Sequence, residues 1–253
     1  MLAALAGSAL MAQGREAGTP VSYLEVKTWR MHNSEENQPQ RLSTYLEHGL
    51  APALSRTGAK LVGAFGNLIG PDGPYYVTIA QFASLGAYQE TLSQLRSDRN
   101  HQQEEAKLDS GSGLPFVRVD SSLLRCFDKM PQPAIESTAG KPPRVFELRT
   151  YESQSFTALV RKVGMFNNGE MQIFERLQMR PVFFGETIAG PRQPCLMYML
   201  SYDSLDARDR LWRVFGADPE WNKLKSQPGL SDPEIVANIS NVLLHPLPFS
   251  PTR

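Results

Sequence analysis

The chain has 253 residues, of which 41% are hydrophobic and 21% are charged, a composition typical of a globular protein with one or two domains. Lysine and arginine together number 26, as do aspartate and glutamate, so the net charge is zero. Because the chain is neutral and has no basic stripe, we expect no nucleic-acid binding. Cys126 and Cys195 lie far apart and form no CxxC motif, which excludes a zinc ribbon and leaves one disulfide open.

The first twenty residues differ from the rest of the chain. The run MLAALAGSALMA is apolar, and it is too short to span a bilayer. It resembles the apolar core of an export signal, although no basic segment precedes it. We therefore expect residues 1–20 to be the remnant of an export signal, with a disordered tail as the alternative. The predicted location is periplasmic or secreted, with the cytoplasm as the alternative, and no transmembrane segment is predicted.

Two segments of the chain occur twice. The run YLEVKTW at 23–29 returns as VFELRTY at 145–151, and FASLGA at 82–87 returns as YDSLDA at 202–207. A period of about 120 residues is the size of a domain and far exceeds that of a solenoid repeat. We predict one unit at 22–127 and a second at 144–249, joined by a proline-rich linker at 128–143.

The elements have the same order in both units. In the first unit the patterns predict, in chain order, a strand at 22–31, a helix at 41–57, strands at 60–67 and 75–82, a helix from Ser84 to about Asn100, a polar loop at 102–115 and a strand at 121–127. In the second they predict a strand at 145–152, a helix at 156–179 broken near 167–169, strands at 181–187 and 195–202, a helix at 205–215, a short helix after Asp218 and a strand at 239–244. This β-α-β-β-α-β order is that of a ferredoxin-like unit, whose helices cover one face of its sheet. The predicted fold class is α+β, with the two units packed sheet to sheet as an intrachain α+β barrel.

The repeated first strands indicate where a ligand would bind. Successive side chains of a strand point to opposite faces, so Leu24, Val26 and Thr28 share one face, which we expect to contact the helices. The opposite face carries a carboxylate, a cation and an aromatic ring in each copy. These predicted ligand-binding residues are Glu25, Lys27 and Trp29, with Glu147, Arg149 and Tyr151. We expect them to line a polar pocket where the sheets meet, the alternative being that the charges face solvent.

Catalytic residues are harder to assign from the sequence. His48 is the best acid–base candidate because imidazole titrates near neutral pH, and Glu25 and Glu147 are further candidates. The other histidines show no metal-ligand spacing, and there is neither a phosphate-binding loop nor a nucleophile elbow. We therefore predict no metal and no cofactor.

Three aromatic residues of the second unit could suggest a site. Trp212 and Phe215 are spaced for one face of a helix, so we predict that they pack in the core together with Trp221. Asp218 precedes Pro219 and is predicted to cap a helix rather than to act as an acid.

The chain resembles the NIPSNAP family. The second copy carries the likeness in FELRTY at 146–151 and LWRVFGADPEW at 211–221, and the first copy has weaker versions in LEHGLAP at 46–52 and KLVGAFG at 60–66. The resemblance covers residues 22–249 and implies two NIPSNAP units in tandem with a dimeric α+β barrel fold. It implies no reaction, although the wider superfamily includes cofactor-free monooxygenases and haem-handling enzymes.

Three functions are therefore considered. The first is a NIPSNAP-type protein, exported or associated with a bacterial envelope, that binds a small molecule or a protein partner through its barrel. The second is a cofactor-free, monooxygenase-like or other small-molecule enzyme with His48, Glu25 or Glu147 as general base and Tyr151 or Arg149 stabilising developing negative charge. The third is a structural interaction module. A homo-oligomer is compatible with all three.

Overall fold

The computed structural model describes residues 19–33, 35–136 and 142–253. These residues form eight strands that close into one antiparallel barrel in the order β1-β3-β2-β8-β5-β7-β6-β4. The strands are β1 (Tyr23–Arg30), β2 (Lys60–Ile69), β3 (Tyr75–Phe82), β4 (Arg118–Cys126), β5 (Val145–Glu152), β6 (Arg180–Ala189), β7 (Cys195–Tyr202) and β8 (Asn238–Pro246). The barrel confirms the predicted α+β class and the intrachain closure of the two halves.

Helices pack on the outside of this barrel. They are α1 (Gln38–Tyr45), α2 (Ala51–Arg56), α3 (Leu85–Ser97), α4 (Arg99–Asp109), α5 (Phe156–Met165), α6 (Met171–Arg176), α7 (Leu205–Ala217), α8 (Pro219–Lys225) and α9 (Asp232–Ile235). Short π-helical segments at Leu46–Leu50 and Phe166–Glu170 join α1 to α2 and α5 to α6. The second of these coincides with the break predicted near 167–169. No helix in the described part of the chain is long and apolar enough to cross a bilayer.

Each half of the chain supplies four neighbouring strands. The halves meet at two seams, where β2 pairs with β8 and β4 pairs with β6. The strand registers define equivalent positions in the two halves, since Glu25 pairs with Ala80 and Glu147 with Leu200. Glu25 is therefore the counterpart of Glu147, and Arg30 the counterpart of Glu152.

Side-chain caps begin several of the helices. Ser84 and Ser204 each accept a hydrogen bond from the backbone N–H three residues on, as predicted for Ser84. Asp218 accepts from the N–H groups of Glu220 and Trp221, which confirms its predicted role as a cap.

The polar loop predicted at 102–115 is wrong over its first half, which belongs to α4. Asp98 ends α3 and caps α4 by accepting from the N–H groups of Asn100 and His101. The helix is polar except where His101 and Leu108 are buried against the first unit, so its sequence lacks a clear apolar period.

The predicted assignment of strand faces is also wrong. Leu24 and Val26 point into the barrel, where they pack with Phe65, Phe146 and other apolar side chains. The face with Glu25, Lys27 and Trp29, like that with Glu147, Arg149 and Tyr151, points outward to the helices. The physical reason is that the closed barrel excludes water from unpaired charges, whereas the helices bring polar groups that satisfy them.

The remaining expectations concern the N-terminal segment, the linker, oligomerisation and the cysteines. The expected export-signal remnant lies almost wholly at residues 1–18, outside the described residues, as do linker residues 137–141. Export and homo-oligomerisation stay predictions. The alternative of a disulfide is wrong, because Cys126 and Cys195 are both free and buried.

Candidate functional site

The predicted ligand-binding residues form two separate clusters between the barrel and its helices. In the second unit the cluster centres on Glu147, whose side chain is fully buried. Its carboxylate accepts six hydrogen bonds at 2.6–3.3 Å. The donors are Arg149 Nη1, Tyr202 Oη, Arg208 Nε and Nη2, Trp212 Nε1 and Asn241 Nδ2. Because a carboxylate offers about four lone-pair positions, no acceptor site is left for a substrate proton.

The charges around Glu147 hold it ionised. Burial alone would raise the pKa of Glu147, but the hydrogen bond from Arg208 and the charge of Arg149 outweigh burial and lower that pKa. Arg149 also donates to the Tyr151 hydroxyl at 3.2 Å and lies 4.4 Å from the centre of the Trp212 ring. The cluster thus ties α7 to β5, and its geometry favours a structural role over that of a general base.

The cluster of the first unit has the same position but fewer partners. Glu25 forms an ion pair with Lys27 at 3.1 Å and accepts from the hydroxyls of Tyr88 at 3.1 Å and Ser121 at 3.0 Å. Trp29 packs in the helix-facing core and donates to Thr78 at 2.9 Å. Among the described residues no arginine pairs with Glu25, so this carboxylate has fewer charged partners than Glu147.

The candidate base His48 does not complete either cluster. It lies on the π-helical segment with 61% of its side chain exposed, and its only ion-pair partner among the described residues is Glu47, at 3.8 Å. Within the described part of the chain, no hydrogen bond or ion pair joins His48, Glu25 and Glu147 to one another. The three catalytic candidates are therefore not brought together.

A buried ion pair that sequence reasoning missed lies next to the Glu147 cluster. Lys162 Nζ on α5 lies 3.0 Å from Glu170 Oε2 at the end of the π-helical segment, and both side chains are at most 2% exposed. The rings of Tyr151, Phe166 and Trp221 surround the Lys162 ammonium at 4.9–5.5 Å. Burial raises the pKa of Glu170, and the charge of Lys162 opposes that rise. The signal in the sequence was a lysine on the apolar side of a predicted helix.

The three aromatic residues predicted to pack do so. Phe215 and Trp221 are buried in the core of the second unit, and Trp212 packs against that core while donating to Glu147. The prediction that they are packing residues is confirmed.

A cavity lies inside one end of the barrel, and none of the predicted site residues lines it. It measures about 560 Å³, within the ~300–1,000 Å³ range of small-molecule sites. Apolar and short polar side chains from both halves form its wall: Val26, Thr28, Val77, Ser122, Leu148, Thr150, Met197, Ser240 and Val242. The opposite half of the interior is filled by packed side chains, including Phe65, Phe146 and Phe183.

Charged side chains surround the mouth of this cavity. Arg30 lies at the end of β1, and Asp72 and Arg192 lie in the β2–β3 and β6–β7 turns. Arg118 and Asp120 lie at the start of β4. Asp120 binds Arg30 at 3.2 Å and lies 3.6 Å from Arg118. Three arginines thus face two aspartates across the mouth.

Tyr75 forms part of the same wall, and the Arg30 guanidinium lies 4.9 Å from the centre of its ring. Its buried hydroxyl has no hydrogen-bond partner among the described residues. A Cβ at Gly70 would collide with that hydroxyl, so a larger residue there would have to displace the Tyr75 side chain. Burial raises the pKa of Tyr75.

Sequence reasoning missed these cavity residues because it placed their strand face against the helices. The signal was present in the matching threonines Thr28 and Thr150, which continue the apolar alternation of β1 and β5 as short polar side chains. Arg30 is the next residue on the same face of β1 after Thr28. The described residues contain no group of three or more His, Cys, Asp or Glu side chains placed to hold a metal ion.

The fold is shared with solved structures over most of its length. A candidate monooxygenase from Lactobacillus acidophilus NCFM aligns with a TM-score of 0.58 at 12% identity, covering 88% of this chain and 93% of that protein. Chlorite dismutase from Candidatus Nitrospira defluvii aligns with a TM-score of 0.51 at 9% identity, covering 90% and 92%. At these identities the likeness shows the fold alone. No curated protein matches the chain.

The second half of the chain gives a family match. The NIPSNAP family model matches residues 146–251. A NIPSNAP family protein from Agrobacterium tumefaciens strain C58 is 21% identical, with a TM-score of 0.41, and covers 48% of this chain and 100% of that protein. The predicted resemblance to the NIPSNAP family is thus confirmed for residues 146–251.

Proposed function

We propose that the protein binds a small organic molecule inside the open end of its barrel. The observation that carries this proposal is the cavity of about 560 Å³, which both halves of the chain line. The proposal keeps the predicted mode of action, binding through the barrel. It replaces the predicted ligand-binding residues with those that line the cavity.

The wall has the composition of a ligand site. Its middle is apolar, formed by side chains such as Val77, Leu148 and Met197, while hydroxyls of Thr28 and Thr150 supply a few polar groups. Small-molecule sites commonly combine a mostly apolar surface with a small number of polar groups that fix orientation. A protein segment would need an extended groove, whereas this cavity lies within one end of a closed barrel.

The alternative of a monooxygenase-like or other enzyme has less support. The two buried carboxylates proposed as bases already accept hydrogen bonds from several groups, and His48 is exposed on a helix away from the cavity wall. The described cavity lining contains no histidine and no glutamate, and its two aspartates, Asp72 and Asp120, both form ion pairs with Arg30.

The proposal is tested with N-phenyl-1-naphthylamine, a neutral apolar dye whose fluorescence rises in an apolar site. We expect the dye to bind the full chain saturably. Small organic compounds from a library should displace the dye. The double variant Thr28→Phe/Thr150→Phe fills the cavity and should abolish the signal. Thr28→Val/Thr150→Val keeps the volume and is the matched control, which should bind the dye.

A second pair of variants is used if the double phenylalanine variant does not fold. If the phenylalanine variant unfolds, Thr28→Phe alone is compared with Thr28→Val, and each is accepted only with a cooperative melting transition. Equal dye binding by the filled and the unfilled variants would overturn the proposal.

A further inference from the structure

We propose that the ligand of the barrel cavity is an organic anion whose acidic group binds at Arg192, with its apolar body held further inside the barrel. This inference rests on the proposed function, since it names the chemical class of the ligand for the same cavity. It is carried by the distribution of charge around the cavity mouth and by the geometry of the turn that holds Arg192.

The charges of the first half are largely paired with one another. Arg30 lies 3.2 Å from Asp120 and 3.8 Å from Asp72, and Arg118 lies 3.6 Å from Asp120. These four side chains sum to zero charge. An additional anion would have to compete with carboxylates already in place.

Arg192 is different. Its guanidinium donates to Ser240 Oγ at 3.2 Å, and no ion pair to it is found among the described residues. Arg192 and Ser240 both line the cavity, so a cation and a hydroxyl lie side by side at the mouth. An arginine with free N–H groups beside a hydroxyl is suited to a carboxylate, sulfonate or phosphate group.

Comparison of the two halves shows that the positive charge of Arg192 has no equivalent in the first half. Tyr75 pairs with Arg30 and Cys195 with Glu152, which makes the β2–β3 and β6–β7 turns equivalent and Asp72 the counterpart of Arg192. Both residues adopt left-handed backbone conformations, with φ of 55° for Asp72 and 67° for Arg192. Aspartate tolerates this conformation more readily than arginine, whose side chain offers no local compensation. An arginine at a strained backbone position in a cavity mouth points to a functional role.

The remainder of the cavity accepts the apolar part of such a ligand. Beyond the mouth the wall is formed by Val26, Leu148 and Val242, whose side chains carry no hydrogen-bonding groups. An amphipathic anion therefore satisfies both regions at once, whereas a neutral apolar compound leaves Arg192 without an anionic partner and a cation would be repelled by it.

The experiment compares two dyes that share one apolar body. 1-Anilinonaphthalene-8-sulfonate carries a sulfonate that N-phenyl-1-naphthylamine lacks. For the full chain we expect the sulfonate to bind about tenfold more tightly, because a charged hydrogen bond is gained at the exposed Arg192. Arg192→Asp introduces the residue of the equivalent turn and should remove that preference while leaving the neutral dye bound. Arg210→Asp on α7 changes the net charge equally, far from the cavity, and should keep the preference.

The outcomes separate this inference from the proposed function. If the two dyes bind equally, or if Arg192→Asp keeps the sulfonate preference, the anion inference is overturned while binding in the cavity stands. If neither dye binds the wild-type chain, both are overturned. Loss of preference in Arg192→Asp but not in Arg210→Asp, with melting temperatures close to that of the wild type, supports the inference.

Discussion

Replacement of Glu147 by glutamine gives the sharpest test of the buried charge cluster. The change removes one negative charge and keeps the shape of the side chain. Arg149 and Arg208, with side chains only 13% and 20% exposed, would lose the buried carboxylate that both contact. Breaking a buried ion pair by removing one partner costs about 3–5 kcal/mol, so we expect the free energy of unfolding to fall by about that amount. For a chain of this size the melting temperature should fall by about 6–20 °C.

The chain contains its own matched control. Glu25→Gln alters the equivalent position, where the cation paired with the carboxylate is Lys27, with 26% of its side chain exposed. That ammonium can recover hydration, so we expect a loss of about 1 kcal/mol. Thermal and urea unfolding of the three proteins measure the difference. Equal losses in the two variants would refute the argument that the arginines make Glu147 critical.

The pH dependence supplies a second readout of the same perturbation. Because the folded-state pKa of Glu147 is lowered, the stability it contributes is complete above the ordinary glutamate pKa of about 4.3 and is lost as pH falls through the lowered folded-state value. The stability gap between the wild type and Glu147→Gln should therefore narrow in acid. A gap of the same size at pH 3 and pH 7 would contradict the assigned ionisation.

Other predictions concern buried groups and one exposed histidine. Lys162→Met leaves Glu170 buried without its cation and should cost about 3–5 kcal/mol, whereas Lys162→Met/Glu170→Leu should recover most of that loss in urea unfolding. Cys126, whose pKa burial raises to about 11, and Cys195 should react with a thiol reagent only after unfolding; rapid reaction of the native protein would contradict their burial. His48→Ala should change the free energy of unfolding by less than about 0.5 kcal/mol, since its side chain is exposed.

The sequence predicted the architecture because the duplication is visible at particular residues. The match of 23–29 with 145–151 and the caps at Ser84 and Asp218 locate strands and helices from local chemistry alone. The closed barrel then follows from the need to pair or cover the sheet edges.

The site could not be predicted in the same way, because alternation gives two faces without saying which one points inward. Glu147 lies among groups from α7 and β8, and only the tertiary structure shows that Arg208 and Asn241 reach it. Helix α4 was missed for a related reason, since a polar helix anchored by two buried residues has almost no apolar period.

The two seams between the halves have a consequence for specificity. In a barrel formed by two identical chains, every residue occurs twice. A positively charged side chain on one side of the barrel mouth is then always repeated on the other side. When one chain supplies both halves, each half can carry its own residues. The mouth of this barrel accordingly has Asp72 in one turn and Arg192 in the equivalent turn. The two sides of the opening therefore differ in charge, so the proposed ligand would meet two chemically distinct sides of the mouth.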